Sequence, residues 1–134
     1  MQFISAITVL VPTYEEGLDF YVGVLGFELI EDTRLGPQKR WVLVSPYKDA
    51  QTRLLLAKAA NEVQATAIGN QTGGRVFLFL ETDDFERDFQ RFASAGVRFL
   101  ENPRREAYGM VAVFTDPFGN KWDLIESNRA GPRS

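Results

Sequence analysis

Pro12–Ile30 reads PTYEEGLDFYVGVLGFELI, and its grammar is turn, capped helix, glycine stop, strand. Thr13 is a good N-cap, and Glu16 three residues on completes a capping box. Tyr14, Leu18, Tyr21, Val22 and Leu25 recur at helical spacing and predict one buried face. Gly26 follows the last of them, where a left-handed stop residue is wanted. Phe27 and Leu29 then open a strand.

The same grammar returns downstream. Asp83-Asp84-Phe85-Glu86 repeats the capping box with Asp83 in the place of Thr13 and Glu86 in the place of Glu16. Phe85, Phe89, Phe92 and Ala93 form a second helical face, Gly96 stops it, and Val97–Leu100 begins a strand. Caps and glycines repeat at an offset of 70, whereas the apolar residues fit better at 71, so the two helix faces are rotated by one position. An internal duplication accounts for both.

The rest of the chain fits two modules. Phe3–Val11 is β-branched, too short for a helix, and reads as a strand buried on both faces, with Ala6, Thr8 and Leu10 on one side and Ile7, Val9 and Val11 on the other. Strands are expected over 27–33, 40–45 and 52–58, with turns at Leu35-Gly36-Pro37 and 46–51. Residues 75–82, 97–100, 110–115 and 121–126 repeat that series, with a charged loop at 102–108 and a tight turn at Asp116–Asn120. The tail 128–134 reads as frayed. The expected fold class is α+β: a single domain, 1–134, of two βαβββ modules, 3–58 and 75–127. Residues 59–74 are either a plain linker with a helical turn near 59–64 or a flap over a pocket. One helix covers one face of a sheet. Trp41, Leu43, Phe77 and Phe79 make the other face apolar too, so two curling sheets would form a partly closed cup with a ligand cleft.

Composition removes whole classes of chemistry. The 134 residues contain no His and no Cys, which excludes imidazole bases, thiol nucleophiles, disulfides and thiolate metal sites. A metal site would have to be built from oxygen ligands. The net charge of −3 argues against nucleic acid and anionic membranes as partners. No apolar run is long enough to span a bilayer, the N-terminus lacks a basic leader, and cytoplasm is the default location.

VPTYEEGLDFYVGVLGFEL and VAVFTDPFGNKWDLIE, in this order and within a duplicated chain, resemble the vicinal oxygen chelate superfamily of glyoxalase I, bleomycin-resistance proteins and extradiol dioxygenases. The resemblance covers residues 3–126. It implies the paired-module cup and a homodimer. It also implies a divalent metal held by four side chains in active members. Those positions fall here on Ala6, near Leu55, on Phe77 and on Asp123, and three of the four supply no ligand. No metal and no cofactor is therefore expected.

The remaining candidates carry two readings each. Asp123 is a solvated or ion-paired strand carboxylate, or else a polar anchor or general base. Glu81 is the other candidate base, or a partner for the second helix's N-terminus. Trp41, Phe77, Phe79 and Phe114 are plain core or the wall of a site for a flat ligand. Tyr108 is a rim contact, and Asp116 and Asn120 belong to their turn. Arg40 and Arg53 lie at the surface or clamp an anion. The leading expectation is metal-independent binding of a small organic molecule, as in bleomycin resistance. Its rival is a lyase or isomerase of the same superfamily, and a third possibility is an inert dimeric scaffold with a filled cup.

Overall fold

The computed structural model describes residues 1–128, and most of the tail expectation, 129–134, lies outside them. The chain divides into two compact units, Met1–Gly69 and a second from Asn70 onward. Each is a sheet with one main helix, and each is described separately.

The first unit runs β1 (Ala6–Val11), α1 (Tyr14–Leu18), a π-helical turn (Asp19–Val24), β2 (Glu28–Arg34), β3 (Arg40–Ser45), β4 (Arg53–Lys58) and α2 (Glu62–Ala67). Its sheet order is β1-β4-β3-β2, with β1 and β4 parallel and the other pairs antiparallel. The first strand is shorter than expected. Phe3 and Ile4 precede it and are exposed, as is Thr8, so the strand is fully buried on one side only, at Val9 and Val11. Residues 59–64 were expected to hold one helical turn; the structure instead has α2, N-capped by Asn61 on the Gln64 amide at 2.9 Å.

The second unit runs β5 (Val76–Glu81), α3 (Phe85–Ser94), β6 (Arg98–Phe99), β7 (Arg104–Glu106), β8 (Gly109–Thr115) and β9 (Lys121–Ser127). The order β5-β9-β8-β6, with β5 and β9 parallel and β7 also on β8, repeats the pairing of the first unit. The single strand β2 is matched here by the two pieces β6 and β7, separated by a stretch containing Pro103, which has no amide to donate to a ladder. The expected loop at 102–108 thus contains a strand. The turn at 116–120 is as expected: Asp116 Oδ1 accepts from the amides of Phe118, Gly119 and Asn120 at 2.9–3.0 Å, and its Oδ2 from Asn120 Nδ2 at 2.8 Å.

Both helices begin as the sequence implies, with one correction. Thr13 Oγ1 accepts from the Glu16 amide at 3.1 Å and donates to the Glu16 carboxylate at 2.9 Å. In the second helix the cap is Asp84, not Asp83, and it accepts from the Arg87 amide at 3.1 Å. Thr13 and Asp84 stand 71 residues apart, but the stop glycines, Gly26 and Gly96, stand 70 apart, at φ 81° and 91°. The first helical segment therefore holds one residue more between cap and stop. Its second half absorbs that residue as π-helix, where Leu25 N donates to Phe20 O at 2.8 Å, five residues back. This places Phe20, Tyr21 and Leu25 in the core together.

Helix α1 sits tightly on its sheet. A Cβ built on Gly17 would lie 3.0 Å from Val11 Cγ1 and 3.1 Å from Leu56 Cδ1, whereas one on Gly23 would meet nothing within 4 Å. Gly17→Val is expected to cost about 2 kcal/mol through overpacking, and Gly23→Ala to be neutral or to stabilise by up to ~1 kcal/mol. Urea unfolding of both variants checks this; equal midpoints would refute the close seating.

Candidate functional site

In the first unit, Val9, Val11, Val42, Val44, Leu54 and Leu56 point to the helix side and are buried. Alternation puts Trp41, Leu43, Leu55 and Ala57 on the opposite, open face. Trp41 is still 38% exposed. It borders two cavities, one of about 570 Å³ with Leu55, Ala57, Lys58 and Gln64 in its wall, and one of about 280 Å³ beside Phe3, Leu43 and Arg53.

The two arginines of this unit differ in role. Arg40 is a fastener: its guanidinium bonds Asp32 at 2.6 and 3.1 Å and Glu15 at 2.5 Å and lies 5.1 Å over the Tyr14 ring, while its amide donates to Tyr14 Oη at 3.1 Å. Those bonds hold the Glu15 and Asp32 carboxyls below their usual range. Arg53 is tied by Nε to Ala50 O at 3.0 Å and lines the smaller cavity.

In the second unit the helix side is aromatic. Phe114 is fully buried, 5.6 Å from Phe92, 5.7 Å from Phe99 and stacked 5.9 Å from Trp122. Phe114 is therefore core, and the expectation that it lines a ligand wall is withdrawn. Phe77 lies at a bulge between Val76 and Leu78, outside the regular ladder, so simple alternation with Phe79 does not place it. Phe79 itself is 66% exposed and pairs in register with Asp123, which pairs on its other side with Val113.

Asp123 is the unusual residue of this face. It is 8% exposed, and its Oδ1 is buried without a hydrogen-bond partner among the described residues. Burial pushes its carboxyl above the usual range; Arg104 opposes that shift and Glu101 adds to it. No lysine answers it: Lys121, on the same face, donates to Gly74 O at 3.1 Å. Arg104 is engaged elsewhere. Its Nε donates to both oxygens of Glu101 at 3.1 and 3.0 Å, and its other donors reach Glu106 and Tyr108. Glu101 also accepts from the Val113 amide at 3.1 Å.

Glu81 is exposed and accepts from the Ser127 amide at 2.7 Å. The N-terminus of α3 is served by Glu126, which accepts from the Phe85 amide at 2.7 Å, and not by Glu81. Tyr108 is half exposed, and its carbonyl accepts from the Asn128 amide. Sequence reasoning missed the Glu101–Arg104–Glu106 network. The charged run Arg104-Arg105-Glu106 between Pro103 and Gly109 was the available signal.

The sequence of residues 3–124 matches the Glyoxalase/Bleomycin resistance protein/Dioxygenase superfamily. The chain is 51% identical to an uncharacterized protein of Shewanella frigidimarina (strain NCIMB 400), over 98% of each. Among solved structures it resembles UcmS2 (27% identity, TM-score 0.83, 95% of this chain and 99% of that one). It also resembles TnmS3, an antibiotic binding protein from Streptomyces sp. CB03234 (31% identity, TM-score 0.76, 95% and 97% covered). The chain belongs to the glyoxalase/bleomycin-resistance/dioxygenase superfamily.

The residues present do not fit the divalent metal that the family implies. In the ladders Leu55 pairs with Thr8, and Asp123 with Phe79. Ala6, Leu55 and Phe77, three of the four inherited positions, carry no ligand atom in their side chains. Among the described residues no three carboxylates converge on a point that would hold a metal ion. No helix among them is long and apolar enough to cross a membrane.

Because the folded-state pKa of Asp123 is raised, the native state holds its proton to higher pH than the unfolded chain does. Its effect on stability is nil below the ordinary aspartate range and turns unfavourable as pH rises through the folded value. Asp123→Asn is thus expected to raise the melting temperature at pH 7, with the gain vanishing by roughly pH 3. Calorimetry across pH checks this; a gain that is constant with pH would refute it.

Proposed function

We propose that this protein binds a small organic molecule with a flat apolar body, without a metal, on the open faces of its sheets. The observation that carries the reading is Trp41: a large ring in a central region of the sheet, still 38% exposed, bordering two cavities. Leaving such a ring uncovered forgoes apolar burial that a ligand would restore. The likeness to TnmS3, an antibiotic binding protein, supports the same reading. Chemistry by paired carboxylates finds less support. Glu81 is exposed and holds a backbone amide, which leaves Asp123 as a base with no second acid beside it.

Trp122 is 2% exposed and serves as an internal reference for fluorescence. Titration with planar aromatics such as anthraquinones is expected to quench Trp41 saturably, the signal disappearing in Trp41→Phe. By calorimetry, Trp41→Ala is expected to weaken binding about tenfold. Unchanged affinity in Trp41→Ala would sink the reading.

We further propose a homodimer. The edge strand β2 is exposed along most of its length, Leu29 included, and Phe3 and Ile4 stand exposed before the other edge strand, β1. Open edges and apolar surface of this kind favour pairing. Sedimentation equilibrium at micromolar concentration is expected to give twice the chain mass; a monomer there would count against it.

A further inference from the structure

The open face of the second unit carries a charge imbalance with a direction. Glu101, Glu106 and Asp123 are three carboxylates around a single guanidinium, Arg104. The donors of Arg104 go to Glu101, Glu106 and Tyr108. Lys121 is bonded to Gly74 O. Asp123 therefore has no hydrogen-bonded counter-charge and is more than nine-tenths buried, with Oδ1 unpartnered among the described residues. A buried acceptor in that state is costly, and a donor supplied from outside would remove the cost. Beside it on the adjacent strand, the Phe79 ring is 66% exposed.

We propose that this face binds an organic cation, whose ammonium donates to the Asp123 carboxylate while its apolar body lies over the Phe79 ring. The proposal rests on the small-molecule reading above and names the class of ligand. A charged donor suits the site better than a neutral one. A hydrogen bond between an ammonium and a carboxylate is roughly twice as strong as a neutral pair. The excess negative charge of the cluster adds to the attraction, and the face of a phenyl ring attracts a cation as well. An anionic ligand would meet the same carboxylates as repulsion. The burial that holds the Asp123 carboxyl above its ordinary range gives the cation further work to do, since binding it makes ionisation favourable.

Three probes of one shape test the charge: 2-naphthylmethylamine, 2-naphthylmethanol and 2-naphthoate, measured by calorimetry at pH 7.5 with the full chain. The amine is expected to bind about tenfold more tightly than the alcohol, and the naphthoate to bind weakest. In Asp123→Leu the preference for the amine should collapse to within about twofold, and in the isosteric Asp123→Asn to within about threefold, since the charge is lost in both. Phe79→Ala should weaken both amine and alcohol, the amine at least as much as the alcohol. Equal binding of amine and alcohol by the natural chain overturns the cation site and leaves the binding reading standing. An amine preference that survives in both Asp123 variants overturns the role of Asp123. If none of the three probes binds, both readings fall.

Discussion

One helix covers one face of a sheet. Each sheet in this chain carries a single main helix, seated by a side-chain cap at its start and a glycine at positive φ at its end. The helix face of each sheet becomes true core: valines and leucines around Gly17 in the first unit, the Phe92–Phe114–Trp122 stack in the second. The other face has no such cover within its own unit, yet its residues remain largely apolar. Trp41 and Phe79 are left exposed there at 38% and 66%. The unfilled face is the apolar surface that the fold leaves open to contacts from outside its own unit.

The covered faces were the legible part. β-branched runs, capping residues and Asp116 announce strands, helices and the last hairpin by local chemistry, and each occurs where local chemistry decides the outcome. What the sequence concealed are matters of register. The mismatch between offsets of 70 and 71 was visible, but a rotated helix face and an inserted residue look alike on paper. The Leu25-to-Phe20 hydrogen bond distinguishes them. Phe114 stayed open between core and ligand wall because alternation gives two faces without saying which one meets the helix. The bulge beside Phe77 then removes even the alternation.

The site was partly legible for the same reason. Asp123 stood out because it alone kept a carboxylate at an inherited metal position. Its burial and missing partner are three-dimensional facts. They depend on Val113 and Phe79 flanking it across two ladders. The network around Arg104 was hidden more thoroughly, since Glu101 and Arg104 sit in a segment whose charge and Pro103 suggest loop.

Why Asp123 stays unpaired beside an arginine is a question of competition. A guanidinium has five donors in a fixed plane and satisfies carboxylates best when they lie in that plane. Glu101 takes Arg104 Nε with both oxygens, Glu106 takes a terminal nitrogen, and Tyr108 contributes a further acceptor. The nearer, better-aligned acceptors win. Asp123 feels Arg104 only as a distant charge, too weak to offset its own burial. Glu101 is in turn held by the Val113 amide, so the Glu101–Arg104 pair cannot shift toward Asp123 as a unit without breaking that amide–carboxylate hydrogen bond. The chain thus keeps an ionisable group in an unfavourable state while Arg104 and Lys121 bond elsewhere. That pattern fits a group kept available for an outside partner better than one evolved for stability.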